Sequence, residues 1–264
     1  MTVTTNLCRK KIRMRLDKKT TIVTGAAQGI GKQVAFRFAR EGAQVVIADQ
    51  NGELAARTAD EISSAGGTAI SIPVDISDEQ STMEMVHTTN ETFGSIDVLI
   101  NNAAIFSSLK MKPFEEIEVS EWDALFGVNT RGVFLACKAV SPIMRAQQSG
   151  SIVNISSSVV VTGRPNYAHY IASKGAVWAF THALATELGV DNVRVNNISP
   201  HGIVTEVPRE TISESGWQKN LEEQALKRKG TPDDLIALFV YLASDESAYM
   251  TGQTLSLDAG LRFT

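Results

Sequence analysis

Residues 24–31 read TGAAQGIG and lie between a short β-branched run at 20–24 and a segment at 29–41 whose apolar residues recur every four positions. Glycines in a strand-to-helix turn permit a tight bend and close approach to a pyrophosphate. The helix that follows offers free N–H groups and the positive end of its dipole. The spacing G-x-x-x-G-x-G differs from the common G-x-G-x-x-G fingerprint, and a plain turn is the alternative. Its position in the first βαβ unit favours a dinucleotide site.

Strand and helix patterns alternate outward from this turn. The predicted strands are 20–24, 44–49, 68–72, 96–100, 151–156, 193–197 and 253–257. The predicted helices are 29–41, 52–65, 78–93, 120–147, 168–189 and 232–243. Such alternation implies right-handed crossovers and one parallel sheet. Because no internal repeat or linker interrupts it, we predict a single doubly wound α/β domain of Rossmann type over 15–264, with a central parallel sheet of about seven strands.

Composition excludes several classes of protein. The 264 residues are 43% hydrophobic and carry a net charge of −4, so the chain can bury a core and is a poor nucleic-acid binder. No run of about 18 uncharged apolar residues exists, so no membrane span is expected. Two cysteines, Cys8 and Cys137, fit a reducing compartment, and we predict a cytoplasmic protein. The four histidines and two cysteines have no zinc spacing, so no metal site is predicted.

The N-terminal residues differ from the rest of the chain. Arg9, Lys10, Lys11 and Arg13 form a basic cluster with no apolar run after it, which argues against a secretory signal. A transit peptide is an alternative, because acidic residues are absent before Asp17. We predict a disordered basic leader over 1–14, with Met14 as an alternative start.

Acidic and amide side chains end several of the predicted strands. Asp49 ends the second strand, 18 residues after Gly31, where a carboxylate can accept hydrogen bonds from the adenosine ribose and repel a 2′-phosphate. No Arg or Lys lies in 25–31, so NAD is predicted over NADP. A solvated carboxylate at a strand end is the alternative. Asp75, Ile76 and Asn102 follow the third and fourth strands, at the edge where open α/β sheets bind ligands.

A second group of residues has the pattern of an acid/base site. Tyr170 and Lys174 are four residues apart on a predicted helix and share one face, and Ser157 lies 13 residues before Tyr170. A free tyrosine has a pKa near 10, and lowering it by about three units takes roughly 4 kcal/mol. A lysine cation one turn away, with a positively charged nicotinamide nearby, can supply that stabilisation.

Together these motifs resemble the short-chain dehydrogenase/reductase family, over nearly the whole chain from about Arg15. The resemblance rests on TGxxxGIG at 24–31, Asp75, NNA at 101–103, Asn129 in VNTRG, Ser157, YxxxK at 170–174, the segment 199–205 and the tail 242–260. Two departures from the family pattern stand out. Ala104 replaces a glycine after Asn102, and His201 replaces the glycine that usually follows the proline.

The resemblance implies a role for each matching residue. Tyr170 is expected to act as general acid/base, Lys174 to lower its pKa and bind the nicotinamide ribose, and Ser157 to orient the substrate oxygen. Asn129 is expected to hold a water of the proton relay. Asp75 and Ile76 are expected at the adenine. The predicted dinucleotide-binding set is Gly25, Gln28, Gly29, Ile30, Gly31, Asp49, Asp75, Ile76, Asn102, Tyr170, Lys174, Ile203 and Thr205.

Substrate specificity is expected in the polar segment 206–229, which the resemblance marks as a lid. Within it, Ile212 and Trp217 either face the substrate or pack a small helix. The residues expected to flank the catalytic groups from other loops are Phe106, Val159, Val160, Arg164 and Tyr167, with an apolar wall at 159–161. Arg164 is either a carboxylate ligand or a solvated loop arginine. His201 is either a group of the substrate pocket or a residue tolerated at an unusual backbone angle.

These observations lead to one preferred function and two alternatives. We predict an NAD-dependent enzyme acting on a secondary alcohol or ketone of small to medium size that is mostly apolar, with cyclic compounds included. The alternatives are a 3-oxoacyl-(acyl carrier protein) reductase, which normally uses NADPH, and a non-catalytic dinucleotide sensor. The long patterns at 120–147 and 168–189 have more apolar surface than one sheet face needs, and the family resemblance implies that these helices pair between subunits in a dimer or tetramer.

Overall fold

The computed structural model describes residues 14–209 and 211–263. The leader predicted over 1–14 lies outside the described residues, apart from Met14, whose side chain is half exposed. The ordered strands begin six residues later, at Thr20.

Seven parallel strands form one sheet in the order β3-β2-β1-β4-β5-β6-β7, which confirms the predicted fold class. The strands are β1 Thr20–Thr24, β2 Gln44–Asp49, β3 Thr68–Pro73, β4 Val98–Asn101, β5 Gly150–Ile155, β6 Val193–Pro200 and β7 Thr254–Leu257. The chain runs outward on one side from β1 to β3 and on the other from β4 to β7. The order therefore reverses between β1 and β4, where the carboxyl ends of the strands leave a crevice for a ligand.

Helices cover both faces of the sheet. They are α1 Gly29–Arg40, α2 Gly52–Ser64, α3 Glu79–Phe93, α4 Val119–Phe126, α5 Val133–Gln147, α6 Val159–Thr162, α7 Ala168–Leu188, α8 Glu214–Glu223 and α9 Pro232–Ala243. One core lies under α1, α2 and α9, and the other lies under α3, α5 and α7. None of these helices is long and apolar enough to cross a bilayer.

The central strand β1 shows why these strands do not alternate between buried and exposed residues. Its five residues are all buried, with Val23 in one core and Ile22 in the other. A strand covered on both faces needs apolar side chains in both directions, which is the pattern expected of a parallel sheet between two layers of helices.

The prediction of one continuous α-helix over 120–147 is wrong. After α4 the chain forms a π-helical segment, Gly127–Gly132, and only then continues as α5. The buried Asn129 lies in the widened segment, where its side chain bonds to the backbone of Ile105. Single π turns inside α-helices occur frequently at functional sites, and the apolar periodicity on either side does not reveal them.

The segment 206–229 contains helix α8, whose position could not be predicted because the sequence there is polar and weakly periodic. Helix α8 begins after Ser213, whose hydroxyl accepts a hydrogen bond from the Gly216 N–H. Trp217 is the one residue of α8 that is buried. Because a single side chain anchors this helix, the segment lacks the apolar stripe by which amphipathic helices are recognised.

Candidate functional site

The glycine turn between β1 and α1 is closely packed against the end of β4. Gly25 has φ +64°, and a Cβ placed there would lie 2.7 Å from Ala103 Cα. A Cβ on Gly31 would lie 2.3 Å from the Gly25 carbonyl oxygen and 2.5 Å from Asn102 Nδ2. Both contacts are too short for any side chain. The turn therefore requires glycine at these two positions, and it leaves the backbone open to a ligand.

Asn102 ties this turn to β4. Its Nδ2 donates to the carbonyl oxygens of Thr24 and Gly25, at 2.9 and 2.8 Å. The Thr24 hydroxyl in turn accepts from the backbone N–H groups of Asn102 and Ala103. Asn102, predicted to bind the dinucleotide, thus also holds the glycine turn in position.

The N-terminus of α1 faces the crevice without a cap of its own. Gln28, at the N-cap position, makes no side-chain capping bond, and the first turn holds no acidic residue. Instead the Glu206 carboxylate, from the segment after β6, accepts from the Gly29 N–H at 2.8 Å. Such a helix end binds anions, and a carboxylate of the protein lies there in this structure.

Asp49 lies at the end of β2, beside the same turn. One carboxylate oxygen accepts from the Ala27 N–H and the other from the Asn51 N–H, both at 3.0 Å. These backbone donors hold the half-buried carboxylate at the edge of the crevice.

Asp75 and Ile76 follow β3. The Asp75 carboxylate accepts from the backbone N–H and hydroxyl of Ser77, and Ile76 packs against Gly132, where a Cβ would lie 2.7 Å from its Cδ1. Both residues reach the crevice from the side opposite α1.

Ser157, Tyr170 and Lys174 meet at the other end of the crevice. The two helix residues project from α7, Ser157 lies just beyond β5, and all three are at least nine-tenths buried. The Lys174 ammonium donates to the Ile155 carbonyl oxygen at 2.8 Å and lies 6.0 Å from the centre of the Tyr170 ring. A buried phenol beside a lysine and a serine hydroxyl forms a candidate proton-transfer site.

Burial has the largest effect on the pKa values of these groups. It raises the pKa of Tyr170 above its ordinary value, while the Ser157 hydroxyl and the Arg209 guanidinium act in the opposite direction. Burial also lowers the pKa of Lys174 to about 8. Each buried group disfavours its charged form, so the phenolate is not favoured by these protein groups alone.

Asn129 lies behind this group rather than in the crevice. Its amide nitrogen donates to the Ile105 carbonyl oxygen and to the Ser173 hydroxyl, at 3.1 and 3.4 Å. The Ser173 hydroxyl donates to the Tyr170 carbonyl oxygen at 2.8 Å. The structure thus connects Asn129 to the backbone of α7 next to the phenol.

A cavity of about 420 Å³ follows the crevice and brings most of the predicted site residues together. It is lined by Gly25, Gln28, Ile30, Asp49, Asp75, Ile76, Asn102, Ser157, Tyr170, Lys174, Ile203 and Thr205. Of the predicted residues, Gly29, Gly31 and Asn129 are absent from this lining. Arg209 also lines it and was not singled out in the sequence, because it lies in a segment without a recognisable motif.

A smaller cavity of about 50 Å³ adjoins the larger one at Ser157 and Tyr170. The expected flanking residues Phe106, Val159, Arg164 and Tyr167 line it, together with Ile212 and Trp217 of the predicted lid. Val160 is not part of this lining, and Val161 is exposed, so the apolar wall predicted over 159–161 reduces to Val159.

His201 also lines the smaller cavity. Its Nδ1 lies 2.8 Å from the Ser158 hydroxyl. The interpretation of an unusual backbone angle at His201 is wrong, because the positive φ of this turn, +59°, falls on Gly202. That glycine packs under Trp217, which is 3.1 Å from the position of a Cβ. Trp217 therefore both packs against this turn and faces the cavity.

Three comparisons with known proteins agree with this geometry. A family model described as enoyl-(acyl carrier protein) reductase matches residues 25–262. The chain is 37% identical over 248 residues to a 3-oxoacyl-[acyl-carrier-protein] reductase of Thermotoga maritima, covering 94% of this chain and 99% of that protein. It is 36% identical over 247 residues to a cyclopentanol dehydrogenase of a Comamonas species, covering 93% and 98%.

A solved structure is also similar to this chain over nearly its whole length. A 7α-hydroxysteroid dehydrogenase complexed with NADH and 7-oxo glycochenodeoxycholic acid superposes with a TM-score of 0.89. The sequence identity is 32%, with 94% of this chain and 96% of that chain covered. Similarity of this extent shows both a common fold and a common family.

Proposed function

Since the chain belongs to the short-chain dehydrogenase/reductase family and is therefore an oxidoreductase, we propose that it transfers a hydride between NAD and a secondary alcohol or ketone. The observation that carries this proposal is the convergence of Ser157, Tyr170 and Lys174 on the end of a cavity whose other end lies at the glycine turn. A cavity of this kind accommodates a dinucleotide along its length and a small substrate at the phenol.

The residues present fit a nicotinamide dinucleotide. Gly25 and Gly31 leave a backbone surface that no side chain could share. The N-terminus of α1 lies beside it, and its Gly29 N–H donates to Glu206 in this structure. These are the features that bind a pyrophosphate. When bound, the nicotinamide supplies or accepts the hydride.

Asp49 supports NAD rather than NADP. Its carboxylate is held at the cavity edge by two backbone donors, so it cannot easily turn away from a ligand. A carboxylate in that position accepts hydrogen bonds from ribose hydroxyls and repels a 2′-phosphate. We propose that this charge selects the cofactor.

The residues around the Tyr170 phenol transfer the proton or assist its transfer. Tyr170 gives a proton to the ketone oxygen or takes one from the alcohol, and Ser157 holds that oxygen by a hydrogen bond. Lys174 places a positive charge near the phenol, which would favour the phenolate only together with the charge of a bound nicotinamide. Asn129 fixes the backbone of α7 near the phenol through Ser173 and is the proposed site of the relay water.

The substrate chamber, by which we mean the smaller cavity beside Ser157 and Tyr170, supports a mostly apolar alcohol or ketone, with cyclic compounds included. Phe106, Tyr167 and Trp217 surround the smaller cavity with aromatic surface. We propose that the segment 206–229 closes over this chamber as a lid. The names of two similar proteins, a cyclopentanol dehydrogenase and a 7α-hydroxysteroid dehydrogenase, also refer to ring alcohols.

A second candidate is reduction of a 3-oxoacyl group on an acyl carrier protein. It is favoured by the similarity to a reductase of that name in Thermotoga maritima. Asp49 argues against the NADPH expected for that reaction. Turnover of a 3-oxoacyl thioester with NADPH, at a rate above that for simple ketones with NADH, would support the second candidate instead.

The decisive experiment is a panel of secondary alcohols and ketones assayed separately with NAD(H) and NADP(H).

Tyr170→Phe should retain NAD binding and lose at least about a thousandfold in turnover, because the proton donor is removed. The control is Tyr249→Phe, at a fully exposed phenol. Unchanged turnover in Tyr170→Phe would refute the assignment. Turnover in no assay would favour the non-catalytic sensor.

A second pair of variants tests the cofactor. Asp49→Ala should narrow the preference for NAD over NADP, because the repulsion of the 2′-phosphate is lost. The control is Asp60→Ala, on the exposed side of α2. A wild-type enzyme that already prefers NADPH would show that the interpretation of Asp49 is wrong.

We also propose that the protein forms a homo-oligomer. Apolar side chains are exposed along α4 and α5, among them Trp122, which stacks on Phe126, and Phe134. An exposed apolar patch on neighbouring helices favours association. Light scattering during size-exclusion chromatography would distinguish a dimer or tetramer from a monomer, which would contradict the proposal.

A further inference from the structure

Two arginines converge on the substrate chamber. Arg164 lies in the loop between α6 and α7, and Arg209 lies in the segment after β6. Both guanidinium groups belong to half-buried residues that line the smaller cavity, together with Ser157 and Tyr170. Arg209 also lines the larger cavity. The chamber thus carries two positive charges next to the proposed reacting groups.

Neither charge is balanced within the described ranges 14–209 and 211–263. No carboxylate there lies within ion-pair distance of Arg164 or Arg209, and the lining of the smaller cavity includes no acidic side chain. Burial lowers the pKa of Arg209, the Tyr167 and Tyr170 phenols raise it, and the nearby charge of Arg164 lowers it, because two cations repel each other. Partly buried like charges without a counter-ion are unfavourable.

Aromatic rings hold both guanidinium groups in place. The Arg164 guanidinium lies 4.8 Å from the centre of the Tyr167 ring. The Arg209 guanidinium lies 4.9 Å from the Trp217 ring and 5.9 Å from the Phe106 ring. Stacking engages the face of a guanidinium and leaves its N–H edge free.

Stacking on aromatic rings does not satisfy the N–H donors of Arg164 and Arg209. Each guanidinium has five N–H donors, and none of them donates a hydrogen bond to any described residue. His201, in the same cavity lining, has a buried Nε2 that also lacks a partner among the described residues. A chamber with this set of unused donors is suited to a planar anion with several acceptor atoms.

We infer that the substrate carries a carboxylate, which Arg209 and Arg164 bind while its hydroxyl or keto group faces Ser157 and Tyr170. This inference rests on the proposed function and refines it, because the aromatic walls still take the apolar body of the substrate. Charge-assisted, bidentate hydrogen bonds in a partly buried chamber give strong discrimination against a neutral group of the same shape.

The test compares keto acids with amides of the same size. The probes are 4-oxopentanoate with 4-oxopentanamide, and 3-oxocyclohexanecarboxylate with 3-oxocyclohexanecarboxamide, each reduced with NADH and with NADPH. For at least one pair, kcat/KM for the carboxylate should exceed that for the amide by about ten- to a hundredfold in the wild-type enzyme. In Arg209→Gln and Arg164→Gln this ratio should fall towards one, because kcat/KM for the carboxylate falls much more than kcat/KM for the amide.

A matched control and a binding measurement keep the inference separate from the proposed function. Arg57→Gln, at an exposed arginine of α2 that pairs with Glu53, should leave the ratio unchanged. Binding of each probe to the enzyme is measured by calorimetry with NAD present, because the oxidised cofactor has no hydride to transfer to a ketone and the measurement therefore does not depend on turnover. Tighter binding of the carboxylate in the wild type, lost in the two arginine variants, supports the inference even where no probe is reduced.

Three results would overturn it. The first is equal kcat/KM and equal binding for both members of each pair, which leaves the proposed function intact if the neutral ketones are reduced. The second is an unchanged preference for the carboxylate in both arginine variants. The third is an increase of the KM for NADH alone in Arg209→Gln, which would place that arginine at the cofactor. Failure to reduce any ketone with either cofactor contradicts the proposed function, and the binding result then decides the inference.

Discussion

Replacing Lys174 with methionine should stabilise the cofactor-free protein at neutral pH while removing the proposed catalytic activity. The Lys174 side chain is fully buried, and burial lowers its pKa from 10.5 to about 8. A difference of this size corresponds to about 3 kcal/mol at pH 7, since each pKa unit is about 1.4 kcal/mol. That is the cost of keeping an ammonium in this position, and methionine avoids it.

The hydrogen bond to Ile155 offsets part of this gain. The Lys174 ammonium donates to that carbonyl oxygen at 2.8 Å, and the loss of a hydrogen bond from a charged donor costs about 2 kcal/mol. The net expectation for Lys174→Met at pH 7 is a gain of about 1 kcal/mol in the free energy of unfolding. For a domain of this size, that corresponds to an increase of roughly 2–4 °C in Tm.

The sign of the pH dependence distinguishes this cause from simple improvement of packing. Between about pH 8 and 10.5 the unfolded wild-type chain holds a proton that the folded chain has lost, so its stability from this group rises with pH. The cost of the charge falls to about 1 kcal/mol near pH 9.5, where the amine of the folded protein is mostly neutral and its hydrogen bond contributes only about 1 kcal/mol, so the advantage of methionine should nearly vanish.

The assay is denaturant unfolding of the cofactor-free protein at about pH 7 and 9.5, at one protein concentration, with turnover measured alongside. The control is Lys110→Met, at an exposed lysine, for which no such change with pH is expected. A methionine variant less stable than the wild type at pH 7, or a gain that does not shrink at higher pH, would refute the reasoning.

Three further predictions concern the turn, its anion site and the buried thiol. Gly31→Ala should weaken NADH binding at least about tenfold and destabilise the fold by about 1–3 kcal/mol, because the Cβ would lie 2.3 Å from a backbone oxygen. Gly189→Ala, where nothing lies within 4 Å, is the control for calorimetry and unfolding. Glu206→Gln should tighten NAD binding about two- to fivefold by removing a negative charge from the Gly29 N–H, and weaker binding would contradict this. Cys137, whose pKa burial raises to about 12, should react with iodoacetamide only on unfolding, and mass spectrometry showing its modification in the folded protein would contradict its burial.

Much of the fold could be predicted because its signals are local. Each strand of the sheet is a short apolar run, and each flanking helix from α1 to α3 has its own periodicity. The positions that could not be predicted depend on distant contacts. The π-helical segment at Asn129 coincides with bonds to Ile105, 24 residues away, and α8 is anchored only by Trp217.

Some site residues could likewise be predicted from local spacing, while the positions of others depend on distant contacts. The spacing of Tyr170 and Lys174 along one helix already predicts that they share a face, and the structure places both in one cavity with Ser157. Their catalytic roles stay a prediction. The pattern could not show that Asn129 lies outside the cavity lining, because that depends on how α5, α7 and the loop after β4 pack together.

The Rossmann-type fold and the proposed dinucleotide and proton-transfer residues can be identified from the amino-acid sequence, because short spacings on single elements define them. The distribution of charge around the chamber, in contrast, depends on how the chain folds. Glu206 reaches the Gly29 N–H across 177 positions, and Arg164 and Arg209 come from different loops to one cavity. Whether a charge is paired depends on which loops the folded sheet brings together at one edge, and no local pattern records that.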